Sequence, residues 1–325
     1  MGKNMTKIVT ISNEVKFEDV SILWGIQGLS KYIPDCEVIT YTQDDLKYGR
    51  VDRDSDSLLY ISAIGHAQHA GRTTKYIKER FPQSKIVGLA SDTSYYIENN
   101  LGYQWKFSED VFLHLDLMPQ YLDVFKQQGI TTDLWRWTIS DKLLDTLLPL
   151  GRAIDYDRKK YTFIGVYHPD SITKGYRKHL VEYIRDHGLS FTRGAGSGHN
   201  DNNLEDLWEY YLDSWLCLET SSHNDPKLNR LGTQKGFRMG ASIALGTPAV
   251  ADNHPNNDTC LRCRGNYVPF YDFDNLDTLI DLGKYYTDPA HREEYEEMIL
   301  IQQSWLKDYT IDKQLYQLLQ KHNLL

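Results

Sequence analysis

The sequence predicts an α/β protein made of two Rossmann-like domains. Short β-branched runs such as Lys7–Ser12 alternate with amphipathic segments, and this alternation is typical of parallel sheets with helical crossovers. The alternation starts again after the charged stretch at 155–160, and a chain of 325 residues exceeds the usual size of a single core. We therefore predict a first domain over residues 1–150 and a second over residues 151–309.

The first half contains five predicted strands. The loop Asn13–Lys16 after the first of them lacks the glycine fingerprint that cradles a dinucleotide, which argues against a dinucleotide oxidoreductase. The charged stretch at 44–56 has no periodicity and is predicted to be a loop, and residues 134–150 are predicted to link the two halves. The predicted strands are Lys7–Ser12, Cys36–Tyr41, Ser57–Ile64, Lys85–Ala90 and Val111–Leu115, with helices at 20–33, 73–81 and 120–128.

The second half repeats the strand–helix rhythm without repeating the sequence. The end of the chain, from residue 291, is predicted to be helical with one break near 308–310. The predicted strands are Thr162–Tyr167, Leu189–Thr192, Trp215–Leu218, Ala249–Ala251 and Asn266–Phe270, with helices at 176–188, 203–213 and 276–286.

Composition and charge narrow the classes of function. A formal net charge of −9 argues against a broad electrostatic grip on nucleic acid, although a local basic groove is compatible with it. No apolar run approaches the roughly 20 residues that span a bilayer, and the start lacks a signal-peptide core, so we expect no membrane span and a cytoplasmic location. Cys260 and Cys263 have metal-ligand spacing but no second pair, so no metal is predicted.

Several polar residues follow predicted strands, where ligands of open parallel sheets bind. His66 and Asp92 follow strands of the first half, and Arg193 leads into the glycine-rich loop Gly194–Gly198 of the second half. Such a loop can cradle a phosphate through backbone N–H groups, here at Gly194 and Gly196. The alternatives are a solvated histidine at position 66 and a helix N-cap at Asp92.

The stretch Arg230–Asp252 predicts a helix with a basic first turn followed by a buried strand. Lys235 and Arg238 open a run of small and apolar residues that Gly246 ends. A helix start with basic side chains is suited to an anion. The alternative is an ordinary packed helix whose two basic residues are solvated surface charges.

Residues Phe237–Asp252 resemble the "R-x-F-E-A-x-A-C-G-x-P-x-x-x-D" segment of GT-B glycosyltransferases, most closely the CgeB-like and family-4-like members of the glycosyltransferase group 1 clan. The resemblance continues through Tyr271–Ile280 and Tyr286–Glu293, and covers about 100 residues. It implies a GT-B fold, in which two Rossmann-like domains face each other across a cleft. It also implies that a terminal helix at 310–325 crosses back to the N-terminal, acceptor-binding domain.

The resemblance further implies a metal-independent transfer of a sugar from a UDP- or GDP-sugar, with no separate cofactor. Arg238 matches the motif arginine, and Lys235 lies one turn before it. The acid that holds the donor ribose in the family falls on Ala241; the alternatives are that Glu219 or another acid takes its place, or that the donor is bound differently. The implied diphosphate ligands are Lys235, Arg238, Arg193 and Arg177; the implied nucleotide and sugar ligands are Gly194, Gly196, Glu219, Thr233 and Gln234; and the implied catalytic residues are His66 and Asp92.

Three functions follow from these expectations. The first is a glycosyltransferase, whose acceptor the sequence leaves open among a glycan, a protein, a small molecule and a modified DNA base. In this enzyme Asp92 is the candidate base if the anomeric centre is inverted. The second is an inactive GT-B-like binding protein, which Ala241 favours. The third is a UDP-sugar epimerase of the same fold.

Overall fold

The computed structural model of the chain divides into two compact units. The first comprises Met1–Lys142 together with Thr310–Leu325, and the second comprises Leu143–Tyr309. The terminal helix therefore belongs to the same unit as the first sheet. The structure describes residues 5–12, 17–53, 56–64, 76–90, 111–116, 119–127, 129–136, 138–165, 173, 175–193, 204–220, 236–253 and 268–325.

The first unit is built on a six-stranded sheet with the strand order β2-β1-β3-β4-β5-β6, in which every pairing is parallel. Its central strands are apolar on both faces, as parallel sheets covered by helices require, and Val9, Tyr60 and Ile86 are buried together in its core. The elements are β1 (Thr6–Ser12), α1 (Phe17–Gly28), β2 (Cys36–Thr42), α2 (Gln43–Lys47), β3 (Leu59–Ile64), β4 (Lys85–Ala90), β5 (Val111–Asp116), α3 (Pro119–Gln127) and β6 (Thr131–Leu134).

One prediction for the first half is wrong in part, and another is refined. The stretch predicted as a loop begins with the short helix α2, because Thr42 Oγ1 accepts the backbone N–H of Asp45 and Asp45 Oδ2 accepts the backbone N–H of Thr42. The predicted linker at 134–150 does contain the boundary between the two units, after Lys142, but it also includes the end of β6 and the helix α4 (Asp141–Leu147). Three buried leucines of α4 supply the packing that stabilises it.

The second unit is built on a five-stranded parallel sheet with the order β11-β10-β9-β7-β8. Of the strand predicted at 266–270, residues 266 and 267 lie outside the described residues, and within 268–325 the strand is Phe270–Tyr271, which pairs with Ala251 and Asp252. The elements are β7 (Tyr161–Gly165), α5 (Gly175–Asp186), β8 (Phe191–Arg193), α6 (Leu204–Leu212), β9 (Ser214–Glu219), α7 (Gly236–Ala244), β10 (Ala249–Asp252), β11 (Phe270–Tyr271), α8 (Asp277–Thr287) and α9 (Arg292–Asp308).

The turn that joins α7 to β10 has a tightly determined geometry. Gly246 has a φ of +71°, a conformation that side chains disfavour, and a Cβ there would lie 2.6 Å from the carbonyl oxygen of Gly151. Thr247 Oγ1 donates to the carbonyl oxygen of Tyr211 at 2.6 Å. These contacts fix the C-terminal end of α7 against the rest of the second unit.

The last helix, α10 (Ile311–Lys321), packs on α1 within the first unit. The break predicted near 308–310 is confirmed, because α9 ends at Asp308 and α10 begins at Ile311. Gly25 faces Ile311, and Gly28 faces the carboxylate of Asp312, so the absence of a Cβ at both glycines allows the two helices to approach closely. Asp312 Oδ2 also accepts the backbone N–H of Asp141 at 2.9 Å.

Candidate functional site

The carboxyl ends of the second sheet's strands form one edge, where three polar side chains are placed by the strand register. Glu219 ends β9, Asp252 ends β10 and Arg193 ends β8. Glu219 pairs in register with Ala251, one residue before Asp252. Because neighbouring strands lie about 4.8 Å apart, Glu219 and Arg193, which have β7 between their strands, are separated by about 10 Å across the sheet.

Arg238 lies in the first turn of α7, which connects β9 to β10 and so begins at the same edge. The charges of Glu219 and Arg238 both act on the buried thiol of Cys217, which lies on β9. Burial raises the pKa of Cys217, the charge of Glu219 raises it further, and the charge of Arg238 lowers it. Arg238 and Glu219 therefore both lie within electrostatic range of one buried thiol on β9.

Arg177 reaches the edge from a third direction. It occupies the first helical turn of α5, which follows β7, and its side chain is half-buried. Beside it, Tyr176 stacks on Phe273 with ring centroids 4.3 Å apart. This stack connects the start of α5 to the segment after β11. The backbone thus brings Arg177, Arg193, Glu219 and Arg238 to one edge of one sheet.

Ala241 is fully buried, with an exposed fraction of 0%. It lies in the interior of α7, where residues 239–244 are all buried. A carboxylate at this position would be desolvated in an apolar environment. The position at which the resemblance places the ribose acid is consequently a packing position in this chain.

Asp252 is not among the site residues predicted from the sequence. It is fully buried at the end of β10, directly after Ala251, the residue that pairs in register with Glu219. A buried carboxylate at the carboxyl end of a central strand is a feature of functional sites in open parallel sheets. The signal was present in the sequence, because Asp252 is the last residue of the motif that carried the resemblance.

Seven of the predicted site residues lie outside the described residues. They are His66, Asp92, Gly194, Gly196, Thr233, Gln234 and Lys235. Within the described ranges, no group of three or more His, Cys, Asp or Glu side chains is arranged to hold a metal ion.

The described edge combines a helix start with three arginines, an arrangement that can neutralise a bound anion. Backbone N–H groups at the start of a helix point outward, and guanidinium groups donate paired hydrogen bonds to phosphate oxygens. Arg238, Arg177 and Arg193 come from three different elements around the edge. One guanidinium cannot contact all the oxygens of a diphosphate. Three separate guanidinium groups therefore suit a diphosphate ligand better than they suit a ligand with a single carboxylate.

Known structures share this architecture over the whole chain. An alpha-glucosyltransferase in complex with UDP-glucose and DNA containing an abasic site is 10% identical, with a TM-score of 0.64 over 98% of this chain and 99% of that chain. The chain has the GT-B fold. An alpha-glucosyltransferase in complex with UDP and a mismatched 13-mer DNA gives a TM-score of 0.66 at 9% identity, over 98% of this chain and 100% of that chain.

A third GT-B structure supports the same assignment. The alpha,alpha-trehalose 6-phosphate synthase of Burkholderia multivorans is 9% identical, with a TM-score of 0.59 over 98% of this chain and 96% of that chain. No family model matches the sequence, and no curated protein matches it at a significant level. The predicted fold class is therefore confirmed by structural similarity. None of the helices in the described part of this GT-B chain has the length and apolar character needed to cross a membrane.

Proposed function

We propose that the chain is a glycosyltransferase that moves a sugar from a UDP-sugar to an acceptor. The observation that carries this proposal is the similarity of the whole chain, in both halves, to GT-B glycosyltransferases described in complex with UDP or UDP-glucose. The arginine-lined edge of the second sheet supports it from this chain's own residues. We also propose that the chain is related to the CgeB-like and family-4-like members of the glycosyltransferase group 1 clan.

In the proposed reaction, the bond between the anomeric carbon and the diphosphate breaks, and negative charge develops on the departing UDP. Fixed positive groups stabilise that charge most when they are already in place before the reaction. Arg238, at the start of α7, is proposed to contact the diphosphate, with Lys235, Arg193 and Arg177 as further ligands. We propose that these basic groups replace a metal ion.

The donor's nucleoside is proposed to lie along the same edge. Because Ala241 is buried, the ribose contact is assigned to Glu219, whose side chain is half-buried at the end of β9. Gly194 and Gly196 are proposed to approach the phosphates through their backbone, and Thr233 and Gln234 to contact the nucleotide sugar. His66 and Asp92 are proposed to act on the sugar and acceptor, with Asp92 as the base if the anomeric centre is inverted.

A modified base in DNA is the acceptor that the structural neighbours favour. Several are described in complex with DNA, including a 13-mer containing an HMU base. The net charge of −9 means that a DNA contact in this chain would depend on a local basic groove. Glycan, protein and small-molecule acceptors are the alternatives in the acceptor assay.

The donor site is tested by calorimetric titration of UDP into the wild type and the Arg238→Ala and Arg177→Ala variants. Loss of a charge-assisted hydrogen bond, worth about 1.5–3 kcal/mol, should weaken UDP binding about 10- to 100-fold. Arg185→Ala is the matched control, because Arg185 is exposed in the last turn of the helix that begins near Arg177. Equal UDP affinity in all four proteins would refute the assigned site.

Radiolabelled UDP-glucose then separates the three functions. A glycosyltransferase releases UDP and transfers label to an acceptor, with hydroxymethylated DNA as the first to test. A binding protein shows UDP affinity without turnover of any nucleotide sugar. An epimerase converts the sugar without an acceptor, and this result would overturn the proposed reaction while leaving the donor site intact.

A further inference from the structure

A cavity of about 110 Å³ lies at the opposite, amino edge of the second sheet. A volume of this size exceeds what one water molecule occupies and is large enough for a small organic molecule. Ser214, whose carbonyl oxygen accepts a hydrogen bond from Lys159 of the lining, begins β9, whereas Glu219 ends that strand. The length of β9, about 17 Å, therefore separates the cavity from the arginine-lined edge.

The cavity has one aliphatic wall and one polar wall. The aliphatic side chains come from the segment after α4, from the end of α6 and from the end of α7: Leu150, Ile154, Leu212 and Leu245. The polar wall is formed by Arg158 and Lys159 at the end of a short 3-10 turn, with Asp155 at the start of that turn. A ligand with an aliphatic part and one charged end matches both walls.

The lysine amine of the polar wall is held at two acceptors. Lys159 Nζ donates to the carbonyl oxygen of Ser214 at 2.5 Å and to Thr247 Oγ1 at 3.4 Å. A neutral amine has two N–H groups and an ammonium has three. Protonation of Lys159 therefore adds a donor beyond the two that these contacts use, and an acceptor inside the cavity would satisfy it.

The other charges around Lys159 are largely compensated by one another. Arg158 is paired with Asp213 at 2.7 Å and with Glu209, and Lys160 is paired with Asp213 at 2.8 Å. Asp155 accepts the backbone N–H of Asp157 and is exposed. Lys159 differs from Arg158 and Lys160, because both of its described contacts are to uncharged oxygens and neither is to a carboxylate.

We propose that this cavity binds a small aliphatic carboxylate, with its carboxylate on Lys159 and its alkyl part against the leucine and isoleucine wall. A carboxylate supplies the acceptor that the ammonium requires, and a short alkyl chain fills the apolar side of the cavity. A fully hydrated polyanion such as phosphate lacks the apolar part and is a poorer match. The proposal does not depend on glycosyl transfer.

Carboxylate binding at this site should be coupled to protonation of Lys159. Burial lowers the pKa of Lys159 to about 7, and the charge of Arg158 contributes in the same direction, while Asp213 raises it. At about pH 8 the unliganded amine is therefore mostly neutral, and a bound carboxylate favours the ammonium. Binding should take up a proton, and affinity should fall by up to about tenfold per pH unit above about pH 7.

The test is calorimetric titration of propionate into the full chain at about pH 6 and about pH 8, in buffers of different ionisation enthalpy. We expect saturable binding, proton uptake at the higher pH and weaker affinity there. Propanol and inorganic phosphate should bind at least about tenfold more weakly, because each lacks one of the two matching features. Phosphate binding as tight as that of propionate would overturn the ligand class.

Two variants assign the binding to this cavity. Lys159→Met keeps a linear apolar chain and should abolish the proton uptake and weaken propionate binding by at least about tenfold. Lys160→Met is the matched control, because Lys160 is exposed and pairs with Asp213 instead of lining the cavity, and it should bind propionate as the wild type does.

If Lys159→Met fails to fold, Ala153→Leu narrows the same cavity from its exposed side and should also weaken binding. Absence of saturable propionate binding to the wild type, or unchanged binding in a folded Lys159→Met or Ala153→Leu protein, would overturn the proposal.

Discussion

Replacing Asp312 with asparagine should stabilise the first unit at neutral and alkaline pH. Asp312 is fully buried at the start of α10, against Gly28 of α1. Its Oδ2 accepts the backbone N–H of Asp141, but among the described polar atoms its Oδ1 is buried with no hydrogen-bond partner. The pKa of Asp312 is raised from 3.8 to about 7, chiefly by burial and also by the charge of Asp141, while the hydrogen bond from the Asp141 N–H and the charge of Lys31 oppose the rise.

The direction of the pH effect follows from these two values. Below about pH 4 the carboxyl is protonated in both the folded and the unfolded chain, so it has no effect on the free energy of unfolding. Between about pH 4 and pH 7 only the unfolded chain ionises, and stability falls as pH rises. Above about pH 7 the loss is complete, and the difference between 3.8 and about 7 corresponds to about 4 kcal/mol.

Asp312→Asn removes this loss and keeps an oxygen that can accept the Asp141 N–H. Part of the gain is offset because the new amide needs an acceptor beside Gly28, so we expect a net gain of about 2–3 kcal/mol at pH 8 and little difference at pH 4. Hydrogen exchange of the α1 and α10 amides reports this locally, which is preferable to global unfolding in a chain of two units.

Asp308→Asn is the control for removing one negative charge near the same place in the sequence, because Asp308 is exposed at the end of α9. It should leave the exchange rates unchanged. A constant difference between wild type and Asp312→Asn from pH 4 to pH 8, or a less protected variant at pH 8, would show that the buried carboxyl is not the origin of the pH dependence.

Two further substitutions test the packing of the helices. Gly28→Ala places a Cβ against the Asp312 carboxylate, so it should destabilise the packing of α1 on α10 by about 1–3 kcal/mol. Limited proteolysis should then cleave α10 faster than in the wild type, and an unchanged cleavage rate would contradict the close approach of the two helices. Gln302→Leu leaves the N–H and C=O groups of Ala249 buried without their partners, at about 1–3 kcal/mol each in urea unfolding, whereas Gln320→Leu on an exposed face should have almost no effect.

The fold class was predictable because apolar residues recur at a different spacing in strands than in helices, and segments of the two kinds alternate along the whole chain. The predicted strand Trp215–Leu218 lies within β9, and the predicted helix at 176–188 largely coincides with α5, since buried apolar runs and a helix-ending glycine mark both clearly. Short edge elements were harder to predict. β6 has four residues and, among the described strands, pairs only with β5, so packing imposes little of the apolar pattern that would reveal it in the sequence.

A local signal for α2 was present but was outweighed by the charge of the stretch. Thr42 and Asp45 have the spacing of a capping box, and the structure shows the reciprocal hydrogen bonds that this spacing allows. In the candidate site, the strand-end positions of Arg193 and Glu219 could be predicted, because strand ends follow from the strand pattern. The burial of Ala241 and Asp252 was not predicted, because it depends on how completely the unit encloses both elements: residues 239–244 of α7 and all four residues of β10 are buried.

The position of Arg238 depends on contacts at the far end of its helix. Gln303 donates to the carbonyl oxygen of Ile243 at 3.1 Å, which also accepts the backbone N–H of Gly246 at 3.0 Å, so the last turn of α7 is held both by its own turn and by α9. A Cβ at Gly246 would lie 2.6 Å from the carbonyl oxygen of Gly151, so the turn that follows α7 packs closely on that backbone. Since a nine-residue helix is about 13 Å long and rigid, fixing its C-terminal end also fixes the first turn. Preorganisation of the proposed diphosphate ligand is thus a property of the packed end of α7, and a substitution such as Gly246→Ala should weaken UDP binding without touching the nucleotide.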